Sequence, residues 1–222
     1  MNNIIQQGGV VMYPLIALSF VAIAVITERI IFWIRIARWR DVRLVAKIMA
    51  FAEDGDYDEA ARFGAGTRDF IACTLLNGIR HRFYSLPTAL ETQAIIELKK
   101  MRKNLVILDT TITVAPLLGI LGTVIGIILS FGVLGTQGIA DPKAVTQGIS
   151  QALITTAYGL SVALVTIFPY NYFTARCEDA TEEMEKYAST LEMLHEKNKH
   201  TTTDTATRVM GLDESEVRYE NS

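Results

Sequence analysis

The 222-residue sequence predicts an all-α membrane protein: three transmembrane helices whose ends run on as long helical extensions on one side of the bilayer. Three observations carry that prediction. Residues 1–27, 110–140 and 144–175 contain no Asp, Glu, Lys or Arg, and each window is longer than the about 20 apolar residues that cross a hydrocarbon core. Positive charge gathers directly after the first window, at Arg29, Arg35, Arg38, Arg40, Arg43 and Lys47. The polar stretches between the windows keep helical spacing, interrupted at glycine and proline. A chain of this length holds too little protein to bury three such helices inside a soluble domain.

The first span is expected at about residues 10–33, preceded by a short outward N-terminus. It does not read as a signal peptide, because its start is uncharged and Thr27-Glu28-Arg29 is no small-residue cleavage site. The basic flank makes the following side cytoplasmic. Residues 34–104 form the sizeable soluble region. There, Asp41–Ala52 reads as a helix continuing from the first span. Gly55 and Asp56 form a stop and a cap, Tyr57–Phe63 is a short helix, and Gly64-Ala65-Gly66 breaks it. Ile71, Leu75, Ile79 and Phe83 form an apolar helical stripe. Ser85 and Pro87 read as the cap and first turn of the next helix. From Thr88 no breaker occurs before Pro116, so one long helix is expected to run from the cytoplasm into the second span, 105–134, past Leu90, Ala94, Glu97 and Met101.

Residues 135–147 are expected to be a short outward loop, and 148–173 the third span. A cytoplasmic helix follows over 174–197, with apolar Met184, Tyr187, Leu191 and Leu194. The Thr-rich residues 198–222 read as a disordered tail.

Several function classes lack support. The net charge of −3 gives no basic footprint for nucleic acid. Cys73 and Cys177 fall on the expected cytoplasmic side, where thiols stay reduced. With His81, His195 and His200 they show no metal-ligand spacing. No phosphate loop, nucleophile elbow or catalytic His–carboxylate pair is present, so an enzyme, a metal and a cofactor all lack a site.

The spans carry the remaining signal. On a wheel of about 100° per residue, Ala115, Gly119, Gly122, Thr123, Gly126 and Ser130 share one narrow face of the second span. Leucines and isoleucines fill the rest. In the third span Gly148, Ala152, Thr155, Thr156, Gly159, Ala163 and Thr166 share a face, with Gln151 at its edge. One reading is close helix packing, for which Gly122 and Gly126 have the common spacing. The other is a mildly polar seam that tolerates a proton or one acidic side chain from another helix. Asp109, at the inner end of the second span, reads either as a functional carboxylate or as an interfacial one paired with Arg102 or Lys103.

The stretch from Thr113 to Gly126, TVAPLLGILGTVIG, resembles the A-P-x-x-G-x-x-G-T-V-x-G signature of the ExbB/TolQ/MotA proton-channel family. Gly148 to Gly159, GISQALITTAYG, resembles its G-I-x-x-A-L-x-x-T-x-x-G signature. The first span from Gly8 through Pro14 to Glu28 and Arg29 is also similar, and the resemblance covers about residues 8–197. It implies a ring of five copies in the bacterial inner membrane, N-terminus periplasmic and C-terminus cytoplasmic, surrounded by membrane lipid. It implies partner helices of the ExbD/TolR type in the lumen, each with an essential aspartate, and a TonB- or TolA-like protein beyond them.

By position, Thr123 and Thr156 match the family's lumen-facing threonines and Pro116 its proline. Thr155 and Gln151 lie on the same implied proton path. Gly119, Gly122, Gly126 and Gly159 are the expected packing residues. Gln151 stands where many ExbB and TolQ proteins have Glu. The proton is therefore expected on the partner's aspartate, whose pKa a hydroxyl-lined site would raise. A fourth span and a large charged loop, typical of MotA, are missing from the pattern. The resemblance leans to ExbB over TolQ. A passive membrane scaffold that docks cytoplasmic partners is the alternative.

Overall fold

The computed structural model describes residues 9–137 and 142–210. Among these the chain forms seven helices: α1 (Met12–Trp39), α2 (Val42–Glu53), α3 (Tyr57–Phe63), α4 (Phe70–Arg80), α5 (Arg82–Arg102), α6 (Leu105–Gln137) and α7 (Pro142–Met210). The all-α expectation holds. Three of the helices, α1, α6 and α7, contain stretches long and apolar enough to cross a membrane. The chain divides into two compact units: Met1–Ile34 with Arg102–Cys177, and Arg35–Met101 with Glu178–Ser222.

The first unit holds the three spans. Large aliphatic side chains such as Leu117, Ile128, Leu153 and Leu164 are exposed on it, as lipid-facing positions must be. In its interior Val11, just before α1, and Leu15 of α1 meet Ala115 of α6 and Val162 and Ala163 of α7.

The second unit has a core of ordinary water-soluble type. Val45, Ile48, Ile71, Leu75, Ile79, Leu90, Met184 and Leu191 are buried. The α4 stripe read from sequence is thus internal at Ile71, Leu75 and Ile79. Phe83 departs from it and is 81% exposed. The reason is that α4 stops at Arg80, with His81 as its C-cap, so the period does not carry through to Phe83. Ser85 is extended (φ −162°), and its Oγ accepts the Thr88 N–H at 3.4 Å. Ser85 thus interrupts α5 with a kink, and the longer part of α5 starts there from the cap that the sequence indicated, with Pro87 in the first turn.

Two expected continuous helices are broken. Residues 41–52 do not continue α1. Asp41 instead starts α2, its carboxylate accepting the N–H groups of Arg43 (3.1 Å) and Leu44 (3.0 Å). An Asp that satisfies the free N–H groups of a helix start favours a new helix over continuation. The second break lies at Lys103–Asn104, between α5 and α6. Asn104 adopts φ 65°, the left-handed region that Asn tolerates better than most residues. Its Nδ2 donates to Glu28 Oε2 at 3.3 Å.

The expected outward loop is shorter than 135–147, since α6 reaches Gln137 and α7 begins at Pro142. At the other end α7 continues through Met210 where an unstructured tail was expected from residue 198. No glycine or proline occurs between Pro169 and Gly211, and Thr201 returns its hydroxyl to the Lys197 carbonyl at 2.9 Å, so the polar threonines do not stop the helix. Residues 211–222 lie outside the described residues.

One buried carboxylate joins the elements of the second unit. The Asp69 side chain is 0% exposed. Its Oδ1 caps α4 by accepting from Ile71 N (2.9 Å) and Ala72 N (3.2 Å). Its Oδ2 accepts from Asp41 N (2.7 Å) and Arg40 Nη1 (2.8 Å). Arg40 also pairs with Glu183 of α7. Burial alone would lower the Arg40 guanidinium, but hydrogen bonds to Asp69 and Glu183 outweigh it and hold the pKa above its ordinary value.

Asp69→Ala is expected to destabilise this unit by about 2–4 kcal/mol, because it leaves Arg40 with Glu183 alone, leaves the Asp41 N–H without its acceptor and uncaps α4; denaturant unfolding followed by circular dichroism measures it. Arg40's raised folded pKa means its contribution is complete below the unfolded value and is lost only as pH rises through the folded one. Stability between about pH 7 and 10 should therefore show no Arg40-linked change. At the second break, both Asn104→Gly and Asn104→Ala lose the bond to Glu28, and Asn104→Ala should cost ~1 kcal/mol more than Asn104→Gly, since only the alanine resists a left-handed backbone.

Candidate functional site

Small residues bring α6 and α7 to backbone contact. A Cβ added to Gly159 would lie 2.5 Å from the Ala115 carbonyl oxygen, and one on Gly119 3.0 Å from Thr156 Cα. At Gly126 it would lie 3.0 Å from the Gly148 carbonyl oxygen, and at Gly122 it would collide with the Thr155 side chain. Contacting positions run in opposite order, 115 with 159, 119 with 156 and 126 with 148, so the helices are antiparallel. All four glycines read as packing residues therefore lie in this seam. Gly148 meets Ser130 there as well.

The hydroxyls of the two faces are committed in different ways. Thr155 is 0% exposed and donates to the Gln151 carbonyl of its own helix at 2.8 Å. Ser130 donates to Gly126 O (2.8 Å) and Thr166 to Val162 O (2.7 Å). Such bonds to the preceding turn satisfy a hydroxyl without involving a neighbour. Thr156 is different: its Oγ1 crosses the seam to the Gly119 carbonyl oxygen at 2.8 Å. Thr123, half-buried, donates to Ile120 O at 2.6 Å.

The two flanks of the seam are unlike. With about 100° per residue and antiparallel helices, Thr123 and Thr156 project to one side of the α6–α7 pair. Gln151 and Tyr158 project to the other. That second side is the one α1 covers. The Gln151 amide lies against Gly9, and the Tyr158 hydroxyl is 3.3 Å from Ser19 Oγ. The five residues read from sequence as a proton path thus do not form one surface. Thr123 and Thr156 share a flank, Thr155 is inside the seam, and Gln151 is on the α1 side. Pro116 is half-buried within α6. Lacking an N–H, it leaves the carbonyl one turn earlier, at Ile112, without its helical donor. Asp109 is exposed on α6.

Having donated their protons to carbonyl groups, Thr123 and Thr156 keep only lone pairs for another group. In this state their flank can accept a hydrogen bond but not give one. It is complementary to a protonated carboxyl group and not to a carboxylate.

A polar cluster at the base of the spans was not read as a unit from sequence. Arg29, only 1% exposed, chelates Glu28 through Nε (2.6 Å) and Nη2 and stacks on Phe32 with its Cζ 4.4 Å from the ring centroid. Asn104 adds a donor to the same carboxylate. The available signal was the Glu28-Arg29 pair just inside the end of an apolar helix, where a charge needs a partner.

Residues 69–186 match the MotA/TolQ/ExbB proton channel family. The chain is 34% identical to a Methanothermobacter thermautotrophicus protein named as an ExbB homolog in biopolymer transport, over 81% of this chain and 65% of the relative. It is 35% identical to a Synechocystis protein named as ExbB-like, over 76% of this chain and 82% of the relative. Likeness to the Tol-Pal system protein TolQ of Pseudomonas aeruginosa is 35% over 49% of this chain and 47% of that protein.

Gly159→Ala should lower thermal stability in detergent by about 1–3 kcal/mol, because the new methyl meets rigid backbone. Gly132 has open space around the added Cβ, so Gly132→Ala should be neutral or up to ~1 kcal/mol stabilising through helix propensity. Equal effects at the two sites would mean that the seam does not determine stability.

Proposed function

Because the chain belongs to the MotA/TolQ/ExbB proton channel family, a family of transport proteins and not of enzymes, we propose that it is a ring-forming subunit of a proton-motive-force-driven motor. Copies of the chain surround single-span helices of the ExbD/TolR kind, and the flank that carries Thr123 and Thr156 faces those helices. The motor sits in a bacterial inner membrane and, through a TonB- or TolA-like protein, energises transport or maintenance at the outer membrane. Arg29, Arg35, Arg38 and Arg176 are cytoplasmic under the positive-inside rule, with the N-terminus outside. The two ExbB-type matches cover more of the chain than the TolQ match does, which supports the ExbB branch.

One observation carries the reading: two hydroxyls share the flank that α1 leaves open, and both have already spent their protons on carbonyl groups. A partner's aspartic acid entering beside them finds acceptors for its O–H. Ionised, it finds no donor until a threonine gives up its carbonyl bond. The neutral form is favoured and the acid's pKa rises, which suits a group that loads and unloads protons near neutral pH. Thr155, Gln151 and Pro116 act from behind this flank. Thr155 holds the seam, Gln151 carries no ionisable group, and Pro116 exposes a carbonyl that ordered water can reach.

The test is proton flux in vesicles containing the chain and its partner. Thr123→Val and Thr156→Val should each cut flux about ten-fold, the worth of one hydrogen bond of ~1.5 kcal/mol. Thr155→Val, whose hydroxyl serves its own helix, should leave flux within about two-fold. Normal flux in both Thr123→Val and Thr156→Val, with the ring assembled, favours the passive scaffold instead.

A further inference from the structure

Within the second unit a groove of about 400 Å3 runs between α5 and α7. Leu90 and Met184, both buried, close its floor. Ala94 and Ala188 lie along it, and their small side chains leave the space that larger ones would fill. From Leu90 to Leu98 and from Met184 to Glu192 each wall extends about 12 Å along its helix axis, at 1.5 Å per residue. The rim is one-signed. Glu91 of α5 and Glu185 and Glu192 of α7 line it, and no lysine or arginine does. Ile95, 57% exposed, adds an apolar edge.

An apolar trough about two turns long with a carboxylate rim selects its occupant by charge. Anionic lipid or an acidic peptide would meet three carboxylates. The same stretch of α7 in a second copy is itself acidic, with Glu178, Asp179 and Glu182 beside Glu185, and is repelled for that reason. A helix with an apolar stripe and basic flanks meets both demands, in the mode by which amphipathic helices dock in grooves.

We propose that the α5–α7 groove docks a cationic amphipathic helix of a partner protein. Its apolar side chains, spaced every three or four residues, seat over Ala94 and Ala188. Its lysines or arginines meet Glu91, Glu185 and Glu192. This contact is separate from the flank assigned to proton transfer and does not depend on that assignment.

The experiment uses the full-length protein in phosphatidylcholine nanodiscs and a synthetic leucine–lysine amphipathic peptide of about 14 residues, long enough for the groove, carrying a benzophenone. Photo-adducts should map to residues 87–98 and 181–192. Adduct yield should fall about ten-fold with Ala188→Phe, which fills the trough, and with Glu185→Lys combined with Glu192→Lys, which reverses its rim. Glu53→Lys, outside the groove, should change nothing. Thermal unfolding confirms that each variant is folded. Should Ala188→Phe unfold, the rim variant decides alone. Adducts outside the two stretches, undiminished yield in the rim variant, or equal capture of a leucine–glutamate peptide of the same period overturns the proposal. So does efficient disulfide formation between copies through Ser189→Cys in a protein whose native cysteines are replaced, because the groove is then an interface of the chain with itself.

Discussion

The close approach of the α6 and α7 backbones is the constraint on which the membrane unit depends. In lipid, apolar side chains gain nothing by leaving one hydrocarbon surface for another, so helix association relies on contact distance and interhelical hydrogen bonds. Gly159 against the Ala115 carbonyl and Gly119 against the Thr156 backbone permit that distance. The Thr156 hydroxyl then spans the gap to Gly119 O. A larger residue at either glycine would separate the helices and break that bond. It would also rotate Thr123 and Thr156 away from a common flank. Packing and function are therefore not competing readings of the same glycines, because the packing sets the direction in which the hydroxyls point.

The second unit is held together by different physics. Large apolar side chains fill its core, and three of its helices, α2, α3 and α4, are short. Short helices expose many backbone ends, and the structure resolves these with carboxylates. Asp41 caps α2 and Asp69 caps α4. Asp69 also accepts from Arg40, which in turn holds Glu183. A buried ion pair of this kind gives little net stability over an apolar substitute, but it is strict about geometry, since each carboxylate oxygen of Asp69 already serves two donors. The node therefore specifies how α1, α2, α4 and α7 meet within the unit more than how strongly they do.

The candidate site was partly legible in the residues. The runs Gly119-x-x-Gly122-x-x-x-Gly126 and Gly148 to Gly159 show two narrow small faces, and those faces do meet. Periodicity could not say which edge of each face stays open. A wheel gives an angle on its own helix and says nothing of the third helix that closes one side. For that reason Gln151 and Thr155, one or a few positions from Thr156, separate from it in space: Gly9, leading into α1, lies against the first and α6 over the second. Nor could the sequence say where each hydroxyl proton goes, which is what makes the Thr123–Thr156 flank an acceptor surface.

Local chemistry by itself determined the elements. Charge-free windows set the three spans. Gly55, Gly64 and Gly66 set the stops, and Ser85 and Pro87 set a helix start. Each of these depends on solvent or on the next few residues, which a sequence displays. Tertiary structure decided the breaks at Asp41 and Asn104. At Asp41 and Asn104 a helical continuation and a turn are close in local energy, and a distant carboxylate, Asp69 in one case and Glu28 in the other, tips the balance. Such a contact has no trace in local spacing, because its two ends are brought together only when the chain has folded.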